Sequence, residues 1–328
     1  MASPGSPQPV LVHWLLDTRP WYPAAVQTAD LSAQAARALA LLPPAERAAV
    51  LRYVRPADAK MSLASRLLQR YVAARHVPGL RWADASPSRD ARGKPVFAPP
   101  PGAPSVAFNV SHQAGLVALA GVVTAAGGGV EVEVGVDVVS QTERRTRDLA
   151  MLAADGWPAF VDMHADVLAA AEAARLKWAV LGGAGVLASP EAATDYKLRA
   201  FYALWCLREA YVKMTGEALL AEWLGALEFR GFGPPPPPVG GEGEGPAGGQ
   251  GESREGMRQG EGVTTHDIWF QGEKVEDVNV CIRTLGDDYM VCTAVRTPGR
   301  KEVGLGIELG EFEFLDLEDI LTFAESRL

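Results

Sequence analysis

VAFNVSHQAGLVALAGVV, residues 106–123, is the stretch on which the fold turns. Its halves, VAFNVSH and GLVALAGVV, are short apolar runs on either side of Gln113 and Ala114, and they read as neighbouring strands of a buried sheet. Just downstream, VEVGVDVVS (132–140) follows a GGG turn and reads as a third strand. Upstream lie two amphipathic helical patterns, residues 31–54 and 60–76, and then a loop over 86–105 whose prolines exclude a helix or a central strand. Beyond the strands the chain is mainly helical over 158–215, and Gly216 is placed to stop the last helix in a left-handed cap. Strands resume at 267–271, 275–285 and 289–296, the last two joined by a GDD turn, and the acidic end 312–328 carries an amphipathic helical half. Strand and helix do not alternate regularly, so the class expected is α+β.

The 328 residues are 48% hydrophobic, which excludes a disordered chain. The longest weakly polar stretch, 115–130, is broken by glycines and too short to span a bilayer, and no basic residue precedes the apolar part of the N-terminus as a secretory signal requires. The cysteines Cys206, Cys281 and Cys292 form no CxxC pair, which points to reduced thiols, a cytoplasmic location and no thiol metal site. Residues 233–262 hold 11 Gly, 6 Pro and 5 Glu in 30 positions, the composition of a flexible insert.

The net charge of −9 argues against a nucleic-acid partner, whose binding rests on phosphate neutralisation. The first hundred residues nevertheless carry +7 and the remainder −16. That basic half suits a polyanionic small molecule or an acidic protein partner. Arg52, Arg55, Lys60, Arg66 and Arg70, on or beside its helical segments, are the cations such a surface would use.

Three places carry candidate chemistry. Asp137 is a carboxylate on an apolar strand, so backbone hydrogen bonds or a cation must compensate its desolvation. Trp205, Glu209 and Lys213 climb one side of a helix at intervals of four; Glu209 and Lys213 form either an ordinary surface pair or a holder for a metal and its phosphate. FNVSHQ (108–113) puts hydrogen-bonding groups where a strand turns polar, for a phosphate or for local backbone groups. His112 has no neighbouring acid that would suggest a serine triad, and no glycine-rich phosphate loop follows a strand.

Taken in order, RDARGKP (89–95), FNVSHQ, VGVDV (134–138) and WCLREAYVKMTGEALL (205–220) resemble the 4'-phosphopantetheinyl transferases. The likeness is to their large, pseudo-dimeric, surfactin-synthetase-activating class in its fungal-like form. It implies two similar α+β lobes, each a small antiparallel sheet packed with helices, over residues 1–134 and 135–328, with coenzyme A in the cleft between them. It also implies transfer of the phosphopantetheine arm of coenzyme A to a serine of acyl or peptidyl carrier domains, releasing adenosine 3',5'-bisphosphate. Mg²⁺ would be held by Asp137 and Glu209, with Glu209 and Lys213 catalytic. Arg89 and Lys94 would meet the nucleotide end, Ser111 and His112 the 3'-phosphate, Lys213 the pyrophosphate, and Gln113 a phosphate oxygen or metal water. Many bacterial relatives have a second acid where this chain has Val139. A monomer without nucleic-acid or membrane partners is expected. The rival readings are a non-catalytic coenzyme A- or carrier-binding module and a metal-dependent pyrophosphohydrolase.

Overall fold

The structure is a computed structural model and describes residues 8–183, 189–217, 221, 223–238 and 257–328. The first lobe opens with β1 (Val10–Asp17), followed by α1 (Leu31–Gln34), α2 (Ala36–Ala40), α3 (Pro44–Leu51) and α4 (Pro56–His76). The single helix expected over 31–54 is thus three: Ala35 (ψ 18°) separates α1 from α2, and α3 begins anew because Pro43 is extended (ψ 155°) and Pro44 occupies its first turn. Proline lacks the N–H that would continue a helix, and the residue before it avoids helical angles. α4 begins four residues earlier than its apolar pattern, with Pro56 in its first turn. It buries Lys60 and Arg70 along with its leucines; Arg70 donates to Glu46 (2.6 Å) and Ser86 (2.9 Å), so neither belongs to the open basic surface expected of them.

Within the proline-rich loop, β2 (Ser88–Arg89) and β3 (Pro95–Val96) form a small hairpin. β4 (Ser105–Gln113) and β5 (Leu116–Thr124) then pair antiparallel through a two-residue turn in which both Ala114 (φ 48°) and Gly115 (φ 89°) are left-handed. That turn matches the twist of the strands it joins. β5 is buried on both faces: Val117 and Leu119 lie in the core under α4, while Leu116, Ala118, Ala120 and Val122 face the second lobe. Double burial explains its unbroken apolar run.

The second lobe consists of β6 (Glu133–Ser140), α5 (Arg145–Asp162), α6 (Ala170–Trp178), α7 (Pro190–Thr215), β7 (Leu227–Arg230), β8 (Asp267–Phe270), β9 (Glu273–Lys274), β10 (Val278–Leu285), β11 (Tyr289–Arg296) and α8 (Lys301–Leu305). β10, β11 and β6 form an antiparallel sheet on which α7 lies, as α4 lies on β4 and β5. α7 starts at a Ser189 cap and stops at Gly216 (φ 79°), the stop its sequence predicts. Among the described residues no helix is long and apolar enough to cross a membrane.

Two boundaries differ from the sequence reading. The chain end returns to the first lobe: β12 (Glu313–Phe314) pairs parallel with β1, and α9 (Leu317–Glu325) buries Ile320, Leu321 and Ala324 in the core beneath α4. The second lobe therefore does not run to residue 328. The flanks of the glycine-rich insert are docked, whereas residues 239–256 lie outside the described residues. Met257 is buried between the lobes, Gln259 and Val263 bridge to Leu285 and Ile282 of β10, and Thr284 donates to the Pro236 carbonyl (2.7 Å). β10 is otherwise an open edge, and backbone hydrogen bonds from Gly260 to Thr284 (3.0 Å) and between Val263 and Ile282 (2.8 and 3.0 Å) cover it.

His13 sits where β1 meets the returning segment. Its ring stacks on Phe312 at 4.1 Å, its Nδ1–H donates to the Gly310 carbonyl (3.0 Å), and its buried Nε2 has no partner among the described residues. Burial, with the Arg283 charge adding to it, brings its pKa down to about 4. Such a histidine supports the fold while neutral: its contribution is complete above the unfolded value near 6.5 and is lost as pH falls toward 4. Between pH 7 and 4.5 the wild type should lose about 2–3 kcal/mol more stability in urea than His13→Phe, which keeps the stack and removes the titration. Parallel curves would assign the acid sensitivity to other groups.

Candidate active site

β4 and β6 are the edge strands of their sheets and lie side by side without a shared backbone ladder. Side chains join them instead. Asn109 Oδ1 accepts the Val136 N–H (3.0 Å), Ser111 Oγ the Val138 N–H (3.4 Å) and Gln113 Oε1 the Ser140 N–H (3.0 Å). Alternation along a strand puts these three on one face and leaves His112 on the other. FNVSHQ thus reads as a rung set for β6 on one side and a cleft-facing imidazole on the other.

α7 approaches β6 over Gly135, where a Cβ would overlap the Ala210 carbonyl and the Met214 amide. Two residues further on the same face, Asp137 comes under the helix. Its Oδ1 accepts from Lys213 Nζ (2.6 Å) and Ser111 Oγ (2.8 Å), and Lys213 also donates to Ser111 (2.9 Å). Glu209 stands one turn before Lys213, and no hydrogen bond reaches its carboxylate among the described residues. Burial, reinforced by the Asp137 charge and opposed by Lys213, pushes Glu209 up to about 7. Burial works to lower Lys213, but Asp137 and Glu209 outweigh it and hold the ammonium above its ordinary value. Arg208 points the other way, into the lobe, where it donates to Glu172 (2.7 Å) and to the Leu224 and Leu227 carbonyls, locking α7 to α6 and β7.

Two clefts meet at this seam. One, of about 410 Å³, is lined by Arg66, Ser88, Arg89 and His112; the other, of about 260 Å³, by Asp137, Lys213, Arg144, Phe201 and Trp205. His112 borders both. Of the residues singled out from sequence, Asp137, Glu209, Lys213 and Ser111 come together, and Arg89 and His112 face the first cleft. Gln113 turns to Ser140 and to Glu143 (2.7 Å). Lys94 lines neither cleft; its ammonium donates to the Val134 (2.9 Å) and Met214 (3.0 Å) carbonyls, and burial draws its pKa down to about 8. Among the described residues no cluster of three or more His, Cys, Asp or Glu is arranged for a metal. Two carboxylates near enough for one to raise the pKa of the other do suit Mg²⁺, which binds through one or two carboxylates and fills its remaining positions with water and phosphate. Val139, buried on the same face of β6 as Asp137, adds no ligand.

Sequence reading passed over Arg144 and His164, which line the second cleft, and gave no separate role to Asn109 and Gly135, which lie inside the motifs it quoted. Polar residues at every second position of an apolar strand would have pointed to Asn109 as the partner of Ser111 and Gln113, and a glycine two residues before a strand aspartate to the close approach of α7.

Comparison with known proteins bears on the same residues. The family model for the N-terminal part of 4'-phosphopantetheinyl transferase matches residues 29–124, and that of the 4'-phosphopantetheinyl transferase superfamily matches 133–235. The chain is 45% identical to 4'-phosphopantetheinyl transferase 1 of Fusarium mangiferae, over 97% of this chain and 96% of that one. The chain belongs to the 4'-phosphopantetheinyl transferases. It is also 34% identical to 4'-phosphopantetheinyl transferase NpgA of Emericella nidulans, over 96% of this chain and 94% of the relative. A 4'-phosphopantetheinyl transferase of Aureobasidium melanogenum is 34% identical over 96% and 97%. As a member of this family the enzyme transfers phosphopantetheine from coenzyme A to carrier proteins. The binding-module and hydrolase readings fall away.

In this transferase Gly135 sets the distance between the strand of Asp137 and the helix of Lys213. Gly135→Ala should cost at least about 3 kcal/mol in urea unfolding, and carrier modification by the folded fraction should fall on the order of 10²-fold. Wild-type stability and turnover in that variant would show that α7 shifts without consequence.

Proposed function

We propose that the seam between β4, β6 and α7 is the transfer site, with Mg²⁺ held by Asp137 and Glu209. The observation that carries this reading is the approach of Glu209, free of hydrogen-bond donors among the described residues, to the Asp137–Lys213 pair, which lines the cleft that meets the other at His112. Arg89, with Arg66 in the same cleft, faces the nucleotide phosphates of coenzyme A, and His112 at the junction takes the 3'-phosphate. The carrier serine hydroxyl attacks the phosphorus that bears the pantetheine arm. A new P–O bond forms as the bond to adenosine 3',5'-bisphosphate breaks, and the serine proton passes to Glu209. Lys213 neutralises charge on the pyrophosphate oxygens, and Ser111 holds both Lys213 and Asp137 in place. When bound, the metal offsets negative charge on the same oxygens.

The enzyme is proposed to act as a monomer in the cytoplasm, since both lobes and the seam belong to one chain and its three free cysteines are buried. Its carriers are proposed to be the domains of fatty-acid, polyketide and nonribosomal-peptide synthesis and of the lysine-pathway reductase. Nucleic acid and membrane are not proposed as partners.

Incubation with coenzyme A, Mg²⁺ and a panel of carrier domains should give a carrier mass gain that chelation abolishes and added Mg²⁺ restores. Asp137→Ala and Glu209→Ala should each lower transfer by the folded enzyme on the order of 10³-fold. The double variant should be little worse than either single one, because groups that act as a unit fail together. Near wild-type turnover in either single variant would remove that residue from the site.

A further inference from the structure

The β2–β3 hairpin touches both halves of the reaction. Ser88, Arg89 and Pro95 line the nucleotide cleft. Arg92 and Lys94 reach the opposite way, to the end of α7. Arg92 Nη1 donates to the Thr215 carbonyl (2.5 Å) and lies 3.9 Å from the Glu217 carboxylate. Lys94 Nζ donates to the Met214 carbonyl (3.0 Å) and also to the Val134 carbonyl of β6 (2.9 Å). A Cβ on Gly216 would touch the Cδ atoms of both side chains, 3.5 and 3.6 Å away, so the left-handed stop of the helix lies beneath them.

The last carbonyls of a helix have no partner within it, and its C-terminal end attracts cations. Here the first lobe supplies the caps for a helix of the second. The Lys94 contact does more than cap, since one ammonium ties the strand that bears Asp137 to the helix that bears Glu209 and Lys213. Lys213 is the residue immediately before Met214, whose carbonyl Lys94 holds.

We infer that Lys94 and Arg92 are positioning residues: through the end of α7 and the start of β6 they hold Lys213 and Glu209 against Asp137, and they link that geometry to a hairpin whose other side forms the nucleotide cleft. This rests on the transfer chemistry assigned to Glu209 and Lys213. It gives Lys94 a task that its place in the GKP motif does not suggest, because its donors are directed to backbone carbonyls rather than to a cleft. Arg92 is exposed, so its removal leaves the cores untouched.

The test is carrier modification by purified full-length enzyme at saturating coenzyme A, paired with calorimetric affinity for adenosine 3',5'-bisphosphate. Lys94→Gln should lower kcat by about tenfold or more, while nucleotide affinity changes less than about threefold. Lys94→Arg, which keeps charged donors, should recover most of the loss, and Arg92→Ala should show a smaller fall of the same kind. In a Lys213→Ala background, Lys94→Gln should have little further effect, since it acts through the residue already removed. A tenfold loss of nucleotide affinity with kcat retained would make Lys94 a nucleotide ligand and overturn the inference. A lowered melting temperature with unchanged kcat, or additive losses in the double variant, would reduce it to a structural tie and equally overturn it. Failure of the wild type to modify any carrier would instead refute the proposed function.

Discussion

Three side chains, Asn109, Ser111 and Gln113, carry the junction on which the rest of the molecule depends. Each accepts a backbone N–H of β6, at Val136, Val138 and Ser140. Three N–H groups on the edge of β6 that would otherwise face β4 unpaired are thereby satisfied without the two sheets merging into one. The apolar faces of β5 and β6 can then share a core, with Leu116, Ala118 and Ala120 meeting Val134, Val136 and Val138. The middle rung also belongs to the chemistry. Ser111 donates to Asp137 and accepts from Lys213, so the part that holds the lobes together is the part that aims the charged groups.

Around that junction the charges are arranged by opposition. Asp137 raises both neighbours, making Glu209 easier to protonate and Lys213 harder to deprotonate. Neither effect needs a special residue type; both follow from placing three ionisable groups where water is scarce. The placement depends on α7 being immobile. Its buried Arg208–Glu172 pair, with Glu172 also accepting the Ala169 and Phe229 amides, anchors the inner side of the helix whose outer side reacts. Tyr202, bonded to Asp148, fastens α5 to the same helix.

Much of this was legible in the sequence, for identifiable reasons. The strands around residues 106–140 and 278–296 are apolar runs between glycine-rich turns, and such runs report themselves locally. Gly216 announced the end of α7, and the ordered motifs brought Asp137, Glu209 and Lys213 forward together. What stayed hidden depends on contacts distant in sequence. Periodicity shows that a face is buried but not what covers it, so the docking of β12 on β1, nearly 300 residues away, left no local trace. Charge type does not reveal direction either: Lys94 and Arg70 read as cations for a ligand or a surface, and they face backbone carbonyls and the half-buried Glu46. Pro43 and Pro44 were a legible signal that the apolar periodicity of 31–54 masked.

The return of β12 and α9 to the first lobe also bears on how the protein comes off the ribosome. A nascent chain delivers β1 to α4 early, yet the core beneath α4 lacks Ile320, Leu321 and Ala324 until α9 has been made. The lobe made first is therefore the lobe finished last, with β1 holding an unpaired edge throughout synthesis of the other. Such an edge is exposed to wrong pairing for as long as translation takes. The first lobe is thus not a unit that can mature ahead of its neighbour; its core is complete only once β12 and α9 have been made.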